Sequence, residues 1–145
     1  MVLSAPSGTG KSTLVQRLVA EFPCFNYSLS YTTRSPRQGE KDGQDYHFVD
    51  KAKFAALKEQ NFFAEWAEVH GNYYGTPLGP AQRLLADGQD MLFDIDVQGA
   101  RQLQTSFTRG CFVFLLPPSK QVLWQRLEKR GSESKEVLSQ RIENA

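Results

Sequence analysis

The sequence predicts an α/β fold with a mainly parallel central sheet between layers of helices. Segments with strand-like patterns alternate with segments of helical periodicity, which is typical of parallel strands joined by crossover helices. Two strand candidates, residues 91–95 and 111–116, are continuous apolar runs, as expected for strands covered on both faces. A third candidate, residues 1–3, leads directly into a glycine-rich loop. Together these features predict a three-layer core.

The helices of this core follow from periodicity and from the residues that end each run. The first is predicted behind the glycine-rich loop and stops at Pro23, and a further core strand is expected at 27–31. Residues 80–85 turn helical again, and 97–107 form the crossover between the two apolar strands. After Pro117-Pro118 a last helix carries apolar residues as far as Gly131, a C-cap candidate. The first helix is carried by Leu14, Val15, Leu18, Val19 and Phe22.

Residues 27–76 have a different character and predict a small β-rich lobe inserted into the core. The stretch is rich in aromatic residues, with alternating segments at 46–49 and 62–69 and a short helical pattern around Phe54. Its loop at 32–39 is polar and basic and is held extended near Pro36.

Residues 4–13 carry the Walker A pattern, with Ala5 in place of its usual first glycine. Its glycines let consecutive backbone N–H groups point at phosphate oxygens, and the following helix adds the positive end of its dipole. Lys11 supplies a mobile positive charge for the β- and γ-phosphates, and the Ser12 hydroxyl is a candidate Mg²⁺ ligand. We therefore predict a nucleoside triphosphate site at Ala5, Pro6, Ser7, Gly8, Thr9, Gly10, Lys11, Ser12 and Thr13.

A second signal is the apolar strand that ends in Asp94 and Asp96. A carboxylate at the carboxyl end of a core strand beside a phosphate loop can hold Mg²⁺, usually through water. Asp96 can equally cap the helix that follows it. The phosphate loop favours the magnesium interpretation.

Two sets of arginines are candidates for phosphate binding. Arg34 and Arg37 lie three apart in an extended loop, where both guanidinium groups can converge on one anion. Arg126, Arg130 and Arg141 follow the Pro117-Pro118 break and suit a lid over transferring phosphates. A solvated basic surface is the alternative for both sets.

Composition limits the classes of function. The chain has 145 residues, 40% of them hydrophobic, and a net charge of +1, which describes one ordinary globular unit without a nucleic-acid-binding charge excess. Cys24 and Cys111 form no metal or disulfide pattern. The longest apolar run is too short to span a bilayer. We expect a reduced cytoplasmic protein, monomeric or homodimeric, with no membrane or nucleic-acid partner.

Several motifs in this order closely resemble the guanylate kinase family. They are residues 30–37 (SYTTRSPR), Tyr46, 63–66 (FAEW), 71–76 (GNYYGT), 94–99 (DIDVQG) and 116–119 (LPPS), behind the phosphate loop. The resemblance covers essentially the whole chain. It implies a P-loop NTPase-type core at 1–30 and 77–121, a GMP-binding lobe at 31–76 and a helical lid region at 122–145.

The resemblance also implies a reaction and a set of site residues. ATP, GMP and Mg²⁺ would be the ligands, and ADP and GDP the products. Glu65 would accept the paired N1–H and N2 amino donors of guanine, where adenine would leave the acid unpaired. Mg²⁺ would be held by Ser12 and Asp96, and Lys11, Arg34, Arg126, Arg130 and Arg141 would be catalytic. GMP would be bound by Ser30, Arg34, Arg37, Tyr46, Glu65, Tyr74, Thr76, Asp94 and Asp96.

Two other functions compete with this one. Guanylate-kinase-like modules of scaffold proteins bind peptides without turnover, although the intact Gly10-Lys11-Ser12 argues against that function. A nucleoside monophosphate kinase with another acceptor is the enzymatic alternative. The resemblance further implies that the family continues beyond residue 145 with a core strand and a final helix, so we expect the chain to be shortened at its C-terminus.

Overall fold

The structure, a computed structural model, describes residues 1–130 apart from the side chain of Arg130. The predicted C-cap at Gly131 lies outside these residues. Within the described part, no helix has the length and apolarity needed to cross a membrane. Its strands and helices, in chain order, are β1 Val2–Ser4, α1 Lys11–Glu21, β2 Phe25–Tyr27, β3 Tyr31–Thr32, β4 His47–Phe48, α2 Lys51–Glu59, β5 Phe63–Val69, β6 Asn72–Pro77, α3 Leu78–Ala86, β7 Asp90–Ile95, α4 Val97–Ser106, β8 Phe112–Phe114 and α5 Lys120–Arg130.

The first sheet has the strand order β2-β7-β1-β8, and all of its pairs are parallel. Neighbouring residues of β1 face opposite ways, because side chains alternate along a strand. Val2 packs with Phe93 and Leu103 on one face, and Leu3 packs with Val15 on the other. Helices therefore cover both faces, and the predicted α/β fold is confirmed.

The predicted core strand at 27–31 is wrong in its position. The core strand is β2, which pairs with β7, and its ladder ends with the hydrogen bond from Ser28 N to Leu92 O at 2.9 Å. The chain then leaves the core, and Tyr31 belongs to the second sheet, opposite Gly75. Aromatic and apolar residues alternate with polar ones through this segment, and the pattern does not mark the change of sheet.

Strand β8 is also shorter than the predicted 111–116. Leu115 N adds one more hydrogen bond, to Ser4 O at 2.8 Å, and the pairing ends there. Leu116 is 72% exposed, and Pro117 and Pro118 have no N–H group with which to continue a ladder.

The second sheet, of order β4-β3-β6-β5, forms the lobe. Its longest pair is the antiparallel hairpin β5–β6, of which the sequence analysis predicted only the first strand. The turn residues His70 and Gly71 have φ of 50° and 76°, as a two-residue type I′ turn requires at both positions. This hairpin places the side chains of β5 and β6 opposite one another.

A β-bulge in β5 decides which side chains face the core of the molecule. Phe63 pairs with Pro77 and Glu65 with Thr76, so the register shifts between them. Strict alternation would put Phe63 and Glu65 on one face. With the bulge, the Phe63 ring instead stacks on Phe54 of α2, at 4.6 Å between ring centroids. Glu65 is left facing the start of α4, where its carboxyl group lies against Gly99.

The lobe is tied to the core through α4. The side-chain amide of Gln102 donates to Trp66 O at 2.8 Å, and its oxygen accepts from Trp66 N at 3.3 Å. These two bonds extend the edge of β5 onto the helix. They hold the neighbouring Glu65 at the start of α4.

Candidate active site

The glycine-rich loop between β1 and α1 has the backbone shape of an anion cradle. Gly8 and Gly10 have φ of 90° and 103°, which glycine adopts without strain. Gly10 is the N-cap of α1, and no side chain among residues 1–130 is seen to cap that terminus, so its first N–H groups can serve a ligand. Ala5 is not among the residues with positive φ, so the backbone there tolerates its methyl group.

Helix α5 packs directly over this loop. A Cβ added at Gly8 would lie 2.8 Å from the Leu127 side chain, so this position excludes side chains by contact as well as by φ. Arg126 Nη1 donates to Thr9 O at 2.7 Å. A cavity of about 560 Å³ opens beside them, lined by Gly8, Thr9, Gly10, Thr13, Leu14, Arg17, Arg126 and Lys129.

Lys11 joins the loop to the end of β7. Its Nζ lies 2.6 Å from Asp94 Oδ1, and it also donates to Ile95 O. Asp94 is 9% exposed, so its charge is partly desolvated and the lysine is its ion-pair partner. Strands β1 and β7 are parallel, with Leu3 opposite Asp94. Asp94 and the loop that follows β1, which carries Lys11, therefore both lie at the carboxyl edge of the sheet.

Asp96 caps α4, as one of the two sequence interpretations expected. Its Oδ1 accepts from Gly99 N at 2.7 Å. The structure thus brings Asp94, rather than Asp96, to Lys11. Asp96 follows β7 directly, and its negative charge acts on Glu65.

Three of the residues predicted to read guanine form a buried chain across the second sheet. Thr76 Oγ1 donates to Glu65 Oε1 at 2.6 Å, and Ser30 Oγ lies 3.4 Å from the same hydroxyl. Glu65 and Thr76 are 4% and 0% exposed. The Thr76 hydroxyl proton is thus directed at the Glu65 carboxyl group.

Gly99 makes room for the Glu65 carboxylate at the start of α4. A Cβ at Gly99 would collide with Glu65 Oε2, so any other residue there would displace the acid. Gly99 N itself bonds Asp96. Gly99 belongs to the motif at 94–99, but nothing in the sequence indicates this contact.

The environment of Glu65 disfavours its charged form. Burial raises the pKa of the Glu65 carboxyl to about 7 from an ordinary value of 4.5, and the negative charge of Asp96 adds to the rise. The hydrogen bond from Thr76 and the charge of Lys11 oppose it. Hydrogen-bond donors placed against this carboxyl would therefore favour its ionised form.

We expect the folded protein to lose stability to this one acid as the pH rises from about 4.5 to 7. In that window the folded state keeps the Glu65 proton and the unfolded state has lost it, so unfolding is favoured as pH increases and levels off above 7. At roughly 1.4 kcal/mol per pKa unit the effect is a few kcal/mol. Urea unfolding of the protein and of Glu65→Gln, measured from pH 5 to 8, should show the difference between them changing with pH. A constant difference would contradict the assigned titration.

The residues predicted to bind a phosphate lie around Arg34. Burial alone would lower the pKa of Arg34, but hydrogen bonds and charge from Glu40 and Tyr74 outweigh it and raise the pKa. The guanidinium carbon lies 5.6 Å from the centroid of the Tyr46 ring, and the Tyr46 and Tyr74 rings meet edge to face at 6.1 Å. Arg37 is exposed, and its positive charge acts on Glu40.

Tyr46 connects this group electrostatically to the sheet edge. Burial raises the pKa of the Tyr46 hydroxyl, and the negative charge of Asp94 adds to the rise. The hydroxyl therefore stays protonated and can donate to an anion. Asp94 thus lies within electrostatic range both of Lys11, in the loop, and of Tyr46, in the lobe.

The remaining predicted site residues are either exposed or outside the described part of the chain. Ser12 and Thr13 are exposed at the start of α1. Arg141 and the side chain of Arg130 lie outside the described residues, and no group of three or more His, Cys, Asp or Glu suited to a metal occurs in the described part. Glu40, the partner of Arg34, was missed by the sequence analysis, although an acid within a basic loop was the available signal.

Comparison with known proteins agrees with the sequence resemblance. The Guanylate kinase family model matches residues 1–145. The chain is 59% identical to the guanylate kinase of Nitratidesulfovibrio vulgaris and 57% identical to that of Oleidesulfovibrio alaskensis, spanning 100% of this chain and 70% of each relative. The crystal structure of guanylate kinase from Anaplasma phagocytophilum is similar, with a TM-score of 0.74 and 35% identity over 90% of this chain and 66% of that one.

Proposed function

Because the chain belongs to the guanylate kinase family, we propose that it transfers the γ-phosphoryl group of ATP to GMP, giving ADP and GDP. The observation that carries this proposal is that two sites adjoin along residues 94–96. The phosphate loop reaches Asp94 through Lys11, and the buried acid pocket of Glu65 meets Asp96 at the start of α4. A donor and an acceptor nucleotide can therefore meet end to end.

The donor triphosphate is assigned to the loop and to the cavity beside it. Backbone N–H groups around Gly8 and Gly10 bind phosphate oxygens, and the dipole of α1 favours the negative charge. Lys11 leaves its contact with Asp94 to follow the β- and γ-phosphates, since a phosphate carries more charge than the carboxylate it replaces. Arg126 on Thr9 is close enough to the loop to take part.

The acceptor base is assigned to the chain of Ser30, Thr76 and Glu65. Guanine offers N1–H and its N2 amino group side by side, and one ionised carboxylate can accept both. Adenine has an unprotonated N1 in that place, which leaves the buried acid without a donor. Binding of guanine thus favours the paired carboxylate over the protonated form of Glu65, whose pKa burial raises to about 7.

The transfer itself needs positioning and charge neutralisation rather than a protein nucleophile. The attacking atom is a phosphate oxygen of GMP, which is already anionic, so no general base is required. Arg34, with the Tyr46 and Tyr74 hydroxyls, holds that phosphate facing Lys11. Cationic groups then stabilise the charge on the transferring phosphoryl group. We assign the same stabilisation of charge to Arg130 and Arg141 of the predicted lid region.

Mg²⁺ fits the oxygen donors near the loop. Ser12 is exposed at the start of α1 and Asp94 and Asp96 lie at the end of β7, which suits an ion that keeps several waters and binds mainly through substrate phosphates. When bound, the ion neutralises phosphate charge. Ser12 and Asp96 are the proposed ligands, with Asp94 beside them.

We further assign the protein to the cytoplasm, as a monomer or homodimer, and retain the boundaries 1–30, 31–76, 77–121 and 122–145 for its parts.

An acceptor comparison tests this function. ADP release measured with ATP and Mg²⁺ should be fast with GMP and slower by at least roughly 10²-fold in kcat/KM with AMP or UMP, because both lack the paired donors that Glu65 needs. Omission of the acceptor is the control for ATP hydrolysis. Equal rates with GMP and AMP would show a kinase with another acceptor. Peptide binding without turnover of GMP would show a binding module.

A further inference from the structure

Glu40 fixes one edge of the Arg34 guanidinium. Its Oε2 accepts from Arg34 Nη1 at 3.0 Å, and its Oε1 accepts from Nη2 at 2.9 Å. The same Oε2 accepts from the backbone N–H of Arg37 at 2.7 Å. One carboxylate therefore holds both the arginine head and the loop that carries it.

A second edge of the Arg34 guanidinium is not bonded to Glu40. A guanidinium has five N–H donors, and they form two forks, one between Nη1 and Nη2 and one between Nε and Nη2. Glu40 takes the first fork, and Ser35 O accepts the other Nη1 hydrogen at 2.7 Å. The Nε atom is buried and has no hydrogen-bond partner among the described residues. Nε–H and one Nη2–H therefore lie side by side without an acceptor in full hydrogen-bond geometry, and the Tyr74 hydroxyl is near enough to the guanidinium to raise its pKa.

We propose that Glu40 is a positioning residue for the phosphate of the acceptor nucleotide, and that it acts by turning the Nε and Nη2 edge of Arg34 toward that phosphate. This inference rests on the proposed binding of GMP. Two phosphate oxygens match a guanidinium fork in spacing. The rings of Tyr46 and Phe48, at 5.6 and 5.8 Å from the guanidinium carbon, lie beside the same group and restrict its movement.

In the opposite interpretation Glu40 makes the same contacts but weakens GMP binding. If Glu40 stood where the phosphate binds, it would have to leave Arg34 first, and its removal would strengthen GMP binding. The open fork on Arg34 argues against this, since phosphate needs only the edge that Glu40 leaves free. The two interpretations are separated by whether removal of Glu40 weakens or strengthens GMP binding.

The test compares Glu40→Ala with Glu59→Ala, a matched control at an exposed position on α2 in the same lobe. We expect Glu40→Ala to lower kcat/KM for GMP by roughly 10- to 100-fold, because a misdirected guanidinium misplaces the reacting phosphate. The KM for ATP and the inhibition constant of guanosine, which has no phosphate, should stay within about twofold. Glu59→Ala should match the unmodified protein in all three measurements.

A double-mutant cycle with Arg34→Lys shows whether Glu40 acts through Arg34. Lysine has no second fork to direct, so Glu40→Ala in the Arg34→Lys background should add less than about twofold. Full additivity would overturn the proposal. A lower KM for GMP in Glu40→Ala, no change, or equal weakening of guanosine and GMP would overturn it too. Absence of GMP turnover in the unmodified protein would instead overturn the proposed function.

Discussion

Lys11→Ala is expected to reduce phosphoryl transfer to GMP by roughly 10²- to 10³-fold or more in kcat. The side chain supplies the charge that follows the transferring phosphoryl group, and nothing else on the loop carries a positive charge. GMP binding should persist, since Glu65, Thr76 and Arg34 hold the acceptor. Calorimetry with GMP and an ADP-release assay on the same preparation measure the two effects separately.

Loss of Lys11 also leaves Asp94 without its partner, so the variant will be less stable. Lys11→Arg keeps a positive charge at this position and serves as the second variant, with activity expected between the two. Lys51→Ala, at an exposed position on α2, is the matched control and should match the unmodified protein. If Lys11→Ala retained normal turnover, the assignment of the triphosphate to this loop would be wrong.

Glu65→Gln is expected to reduce the preference for GMP over AMP, measured as the ratio of kcat/KM values, by roughly 10²- to 10³-fold. Glutamine keeps one acceptor for Thr76 or guanine but turns an NH₂ group toward the N1–H and N2 donors, which leaves buried donors facing one another. The KM for ATP should stay within about twofold, because the hydrogen-bond partner of Glu65 is Thr76 of the lobe and not a residue of the phosphate loop.

Glu68→Gln is the matched control for this change. It makes the same substitution on the same strand at an exposed position, and it should leave the preference intact. If Glu65→Gln kept the preference for GMP over AMP, the carboxylate would have no role in selecting the base. A loss that was equal for GMP and for AMP would assign it a structural role.

The raised pKa of Glu65 follows from burial that the sequence did not show. An acid on an alternating strand is by default solvent-exposed, and only the motifs around it indicated otherwise. The bulge between Phe63 and Glu65 and the absence of a side chain at Gly99 bring it inside. Neither feature leaves a periodic signal in the sequence.

The sequence by itself determined the α/β class, the phosphate loop, the strand that ends in Asp94 and the family resemblance. These depend on local spacing: glycines for positive φ, apolar runs for buried strands and charges at strand ends. Only the tertiary structure decided how residues 27–31 divide between the two sheets and that Lys11 pairs with Asp94. Each depends on which distant segments come into contact, because hydrogen bonds and ion pairs form over a few ångströms of space whatever the separation along the chain.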